Sequence, residues 1–117
     1  IQTIVIADDL FDRYRQSTDF IQQYVFPGGM LPSPAKFRAA AASAGLELEA
    51  EFAFGADYAK TLCFWRDSFN QKIEEVYRLG FDEAFVRLWN FYLMYCAAGF
   101  TQKSIDVVQF TLSHQPK

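Results

Sequence analysis

At 117 residues the chain has the length of one compact domain, and with 51% hydrophobic and 18% aromatic residues it is no disordered tail. A formal net charge of -3 leaves no basic footprint for nucleic acid, and one His with two widely separated cysteines argues against zinc and against a disulfide framework. No apolar run approaches a membrane span or a signal peptide, so the 13 phenylalanines imply a dense core or an apolar surface that another segment, a partner or a lipid covers.

The first element is a strand. Ile1-Gln2-Thr3-Ile4-Val5-Ile6 is a β-branched run that reads as buried. A strand that opens a chain without Met needs neighbours to pair with, so the expectation is the downstream part of a longer protein. Asp8 and Asp9 lead into a polar-aromatic stretch with a short helical turn ending near Gln16. Thr18 is the expected cap of a second short helix, Asp19 to Tyr24, which Phe26-Pro27-Gly28-Gly29 ends. Two glycines behind a proline let a backbone pass close to a ligand, although an ordinary turn has the same composition. Ser33-Pro34 predicts the N-cap and first position of a helix from Ala35 to Ala44, with Gly45 as its stop.

Next, Leu46, Leu48, Ala50, Phe52 and Phe54 alternate with Glu47, Glu49 and Glu51, the period of a half-buried strand. The period then changes: Tyr58, Leu62, Trp65, Phe69, Ile73 and Val76 recur every three or four residues, one face of a helix reaching Leu79. Gly55 eases the backbone at the change, and Asp57 is placed to cap the first amides. This junction sets the Tyr58 hydroxyl at the mouth of the helix. A tyrosine there lies at the rim of a site, or simply buries its ring and points its hydroxyl at water.

Gly80 ends that helix. Asp82 caps the next, Phe81 is expected to staple onto Val86, and Phe85, Leu88, Tyr92, Tyr95 or Cys96, and Gly99 read as its buried face. The short connection makes the two long helices an antiparallel pair. Ser104 to Ser113 is apolar on both faces and predicts a central strand in a covered sheet. Cys63 and Cys96 read as reduced core thiols, Trp65, Trp89 and Phe85 as core, and Glu74, Glu75, Arg78, Asp82, Glu83 and Arg87 as a solvated face. The sum is an α/β unit of three strands and about four helices. It has no glycine-rich nucleotide loop and no Ser-His-Asp set, so the residues alone assign no chemistry.

Four stretches resemble a known family. Phe20-Ile21-Gln22-Gln23-Tyr24-Val25-Phe26-Pro27-Gly28-Gly29-Met30-Leu31-Pro32-Ser33 resembles the F-I-x-K-Y-I-F-P-x-G-x-L-P-S signature of cyclopropane-fatty-acyl-phospholipid synthases. Phe54 to Tyr58 is similar to their F-G-x-D-Y junction, and Phe91 to Phe100 to their Y-Y-L-x-x-C-x-A-x-F helix. Ile105-Asp106-Val107-Val108-Gln109 resembles their closing strand. The matches cover nearly the whole chain in order.

The resemblance implies the C-terminal, acyl-substrate-binding part of a class I methyltransferase fold (Rossmann-like) over residues 1–117, with Ile1–Ile6, Leu46–Phe54 and Ser104–Ser113 as its fifth, sixth and seventh strands. The site for S-adenosylmethionine would lie upstream, leaving this chain inactive alone. The implied reaction puts the methyl carbon of S-adenosylmethionine onto a cis double bond of a phospholipid acyl chain, and a bound bicarbonate removes the proton that closes the ring. By resemblance Tyr58 holds the bicarbonate, Ile4 gives it a backbone contact, and Phe26, Leu31, Leu62, Tyr92, Cys96 and Phe100 line the acyl tunnel, with Gly28-Gly29 at a lid edge. Spacing alone is equally served by ordinary core packing.

The family often carries His where this chain has Gln2. Gln donates an amide hydrogen but cannot carry a proton, so a cyclopropane and a simpler methylated or desaturated product both stand as outcomes. The implied setting is the cytoplasmic face of a bacterial membrane, held peripherally, and the exposed edges of a three-stranded sheet favour a homodimer. A related methyltransferase on another lipid-like substrate and a non-enzymatic acyl-chain-binding module are the alternatives.

Overall fold

The computed structural model describes residues 1–114; the last three residues of the unit expected over 1–117 lie outside the described residues. Three strands, β1 (Gln2–Ile6), β2 (Leu46–Ala53) and β3 (Ile105–His114), form one antiparallel sheet in the order β1-β3-β2. The expected seventh strand therefore sits between the expected fifth and sixth, the central place its two apolar faces predict.

There are six helices among the described residues rather than about four: α1 (Phe11–Arg15), α2 (Phe20–Tyr24), α3 (Pro34–Ser43), α4 (Gly55–Gln71), α5 (Ile73–Arg78) and α6 (Glu83–Thr101). Two are extra: the short turn expected before Gln16 forms α1, and the expected Tyr58–Leu79 helix starts three residues early and breaks at Lys72, whose φ of -112° and ψ of 19° leave the helical region. Gly45 and Gly80, at φ +78° and +99°, follow α3 and α5 as stops. Ser33 caps α3 as expected, its hydroxyl accepting from the Lys36 N–H, with Pro34 at the first turn.

Two local expectations are corrected. Asp19, not Thr18, caps α2, because a reciprocal box with Gln22 satisfies both end amides. In β2 the even period breaks between Leu48 and Ala50, where a register shift leaves Glu49 without a partner. Leu48 consequently faces α3 with Val5, Val108 and Phe110, while Phe54 packs on the opposite face. The same shift turns Glu51 towards α3, where Arg38 grips its carboxylate with two hydrogen bonds.

The two sheet faces carry two cores. On one, Phe37 of α3 stacks on Phe110 at 4.0 Å. On the other, Val107 meets Ala59 and Leu62 of α4 and Leu93, Cys96, Ala97 and Phe100 of α6. The buried face of α6 is thus Val86, Leu93, Cys96, Ala97 and Phe100, rotated from the expected stripe, in which only Cys96 is buried. Among the described residues no helix is long and apolar enough to cross a membrane.

Candidate functional site

The β2–α4 junction fixes the site. Phe54 N–H donates to the Val107 carbonyl at 2.9 Å, and the chain turns directly into α4. The first free helical amide, Gly55 N–H, donates to Asp106 Oδ1 at 2.7 Å, and that oxygen also accepts from Val107 N–H at 2.8 Å. Asp106 of β3, not Asp57, therefore caps α4. A Cβ on Gly55 would lie 2.4 Å from the same oxygen, so this position excludes any side chain. The carboxylate locks helix to sheet and places Tyr58, one turn on, above the central strand.

From there the Tyr58 ring meets Phe100 edge-on at 5.1 Å and Trp65 at 5.8 Å. These residues border a cavity of about 390 Å³ between α4, α6 and β1, lined by Ile4, Tyr58, Leu62, Trp65, Trp89, Tyr92, Leu93, Cys96 and Phe100. Six of the eleven expected site residues (Ile4, Tyr58, Leu62, Tyr92, Cys96 and Phe100) come together there. Trp65, Trp89 and Leu93 line it too. Trp65 and Trp89 had read as core, yet Trp65 is 50% exposed and both rings border the open space. Helical spacing groups such residues on one side of a helix but does not say whether protein or empty volume faces them.

The other expected residues lie outside the wall of this cavity. Phe26 is exposed, with its ring 6.2 Å from that of Tyr92. Gly28 and Gly29 are exposed in the turn after α2, and the Gly29 carbonyl accepts from Gln22 Nε2 at 2.8 Å. Gln2 lies two residues before Ile4 on β1 and pairs with Gln109, whose amide donates to the Gln2 oxygen at 3.0 Å. Leu31 faces a different cavity of about 460 Å³, which borders another face of α6 with Ile6, Tyr14, Tyr95, Gly99 and Ile105. Gln2, Phe26, Gly28, Gly29 and Leu31 are therefore not wall residues of the Tyr58 cavity.

No charged side chain lines the Tyr58 cavity; its polar atoms are two phenols, a thiol and two indole N–H groups. Burial pushes the Tyr92 phenol up to about 12, with Cys96 and Tyr58 adding to the effect. Burial likewise pushes the Cys96 thiol up to about 11. Both stay protonated at neutral pH and add no charge to the aromatic wall. Such a wall accepts a long apolar chain and offers π faces to positive charge developing on carbon. It offers no metal site: no group of His, Cys, Asp and Glu able to hold a metal occurs among the described residues.

Comparison with known proteins adds the following. A protein-family model described as mycolic acid cyclopropane synthetase matches residues 1–110. A tuberculostearic acid methyltransferase of Mycobacterium tuberculosis is 39% identical over 113 residues, which is 96% of this chain and 26% of the relative. The cyclopropane-fatty-acyl-phospholipid synthase of Escherichia coli is 33% identical over 80% of the chain and 24% of its own length. A solved cyclopropane synthase from Mycobacterium tuberculosis superposes with a TM-score of 0.81 at 25% identity, covering 95% of this chain and 42% of that one. A mycolic acid cyclopropane synthase solved in complex with SAH and CTAB has the same score at 28% identity. The chain spans about a quarter of the length of these two curated relatives.

Proposed function

The chain belongs to the mycolic acid cyclopropane synthetase family and has part of its class I methyltransferase fold, and from that footing we propose that it is the acyl-substrate-binding part of an S-adenosylmethionine-dependent lipid methyltransferase. The observation that carries this reading is the neutral aromatic cavity, in which two facing helices and a strand bring Ile4, Tyr58, Leu62, Tyr92, Cys96 and Phe100 together. The favoured substrate is a phospholipid acyl chain with a cis double bond, met at the membrane surface.

The donor itself does not fit the described residues. The strand-to-helix glycine, Gly55, already gives its amide to Asp106, so that helix start has no free cradle for a carboxylate or a phosphate. S-adenosylmethionine, which supplies the methyl group, would be held by residues beyond this chain. The role of this chain is to hold the acyl segment, exclude water, and flank the reacting carbons with the rings of Tyr58, Tyr92 and Phe100. The Tyr58 hydroxyl, on the same wall as Ile4, fits a hydrogen-bonded anion such as bicarbonate, which would take the proton. No cationic side chain lines the wall, so hydrogen bonds alone would hold that anion.

A second reading concerns the product. Gln2 cannot carry a proton, and the 39% identical relative bears the name of a methyltransferase rather than a cyclopropane synthase. A methylated chain is therefore an alternative outcome at the same cavity. The test is incubation of the natural-length protein with methyl-labelled S-adenosylmethionine and a cis-unsaturated phospholipid. Label in the acyl chain supports the reading, and mass analysis tells ring from branch. Label confined to other acceptors, or none at all, removes it.

A further inference from the structure

The buried cluster of the long helix pair lies at its sheet end, with Ala59, Leu62, Leu93, Cys96, Ala97 and Phe100, and farther out Val86 alone is buried among the described residues. Beyond Trp65 and Trp89 the pair continues to a tip at α5 and Gly80, and α5 has no buried residue. The molecule is correspondingly drawn out, 57 Å long but only 28 × 26 Å across. The tip carries the most exposed large apolar side chain, Leu79, at 76%, flanked by Tyr77 at 40% and Phe81 at 46%. Exposed apolar groups gathered at a protruding end carry a solvation cost that a covering phase would remove.

What covers them is indicated by what leads away from them. Phe81 stacks on Phe85 at 4.4 Å, Phe85 on Trp89 at 5.9 Å, and Trp89 leans on Tyr92 at 4.9 Å. Spacings of four, four and three residues keep these rings on one side of the helix. They form an unbroken file about 16 Å long on the helical rise, from the tip into the Tyr58 cavity. Between Lys72 and Arg87 three basic residues stand against four acidic ones, and Lys72–Glu75 and Arg87–Glu83 pair among themselves. The stretch therefore has a net negative charge, with Arg78 its one basic residue outside these pairs, so an anionic partner finds less to hold there than an apolar one does.

We propose that the α5–Gly80 tip docks into the headgroup–acyl boundary of a lipid bilayer, and that the Phe81–Phe85–Trp89–Tyr92 file is the apolar track along which an acyl chain passes into the cavity. Aromatic and aliphatic side chains at a loop tip partition into that boundary without a spanning helix. The inference rests on the reading of the cavity as an acyl-chain site, and its test separates the two. The natural-length protein is floated with vesicles of unsaturated phosphatidylcholine, a zwitterionic lipid, beside Leu79→Asp and Leu79→Trp.

Leu79→Asp should lower the vesicle-bound fraction about tenfold, and Leu79→Trp should raise it about threefold with a blue-shifted emission. Salt should change neither. Methyl transfer to vesicle phospholipid should fall with Leu79→Asp, while transfer to the same lipid dispersed in detergent stays near the parent rate. Equal vesicle binding by parent and Leu79→Asp overturns the docking surface, as does a self-association that Leu79→Asp abolishes while vesicle binding persists. No methyl transfer from the parent to lipid in either form overturns the enzymatic reading instead, and leaves the docking result to stand on its own.

Discussion

Burial of Tyr92 and Cys96, one turn apart on α6, makes both groups reluctant to ionise inside the fold. A group whose folded pKa is raised adds stability that is complete below its unfolded pKa and is lost as pH climbs through the folded value. For Cys96 that window runs from 9.0 to about 11, and for Tyr92 from 10.0 to about 12. Urea midpoints should therefore hold to about pH 9 and fall above it, and Cys96→Ala should flatten the first part of the fall. A parent and variant that fall identically would show that the thiol is not buried in this way. In the folded protein Cys96 should also resist alkylation at mild pH and react on unfolding. Tyr58 is a different case. Phenylalanine keeps its ring contacts with Phe100 and Trp65 and removes only the hydroxyl. Tyr58→Phe should leave thermal stability nearly unchanged and cut methyl transfer by roughly a hundredfold if the hydroxyl orders the reacting groups.

The β2–α4 junction shows what pattern reading reaches and where it stops. The change from period two to a helical period, Gly55, and the tyrosine one turn later are all visible in the chain. The residue that locks them is Asp106, 51 positions away, and a long-range cap leaves no local trace beyond a charge in an apolar strand. Asp106→Ala should cost roughly 1–2 kcal/mol by removing that cap. Gly55→Ala should cost at least as much, and a double-mutant cycle should show strong coupling between the two. Additive losses would mean that the two positions act independently. The bulge at Glu49 was hidden for a related reason. Leu46 to Phe52 alternates without a break, and only the register against β3 shows that Leu48 and Phe54 face opposite cores. The cavity wall was half legible: α6 spacing groups Tyr92, Cys96 and Phe100, but Trp65 and Trp89 became wall residues only when α4 and α6 were set side by side with a gap between them.

At the scale of the whole molecule, a small three-stranded sheet holds one end of a long helix pair, and the cavity lies where the two meet. This division explains how one chain can present an apolar tip and still keep a specific, neutral wall. It also sets what the chain should do alone. On the proposed reading, an acyl chain would be held by the cavity residues, whereas methyl transfer would need a donor that the described residues do not cradle. The chain alone should bind acyl chains without turnover, which isothermal titration with a fatty acid and a methyl-transfer assay on the same sample would check. The most direct test of the central claim is quenching of the fluorescence of Trp65 and Trp89, the two tryptophans of the chain, by a phospholipid brominated at mid-chain, read one indole at a time in Trp65→Phe and Trp89→Phe and compared with the unbrominated lipid. Saturable quenching of each indole by the brominated lipid is expected if the acyl chain lies between α4 and α6. Quenching that is absent, or no greater than with the unbrominated lipid, would place the acyl chain elsewhere and contradict the account.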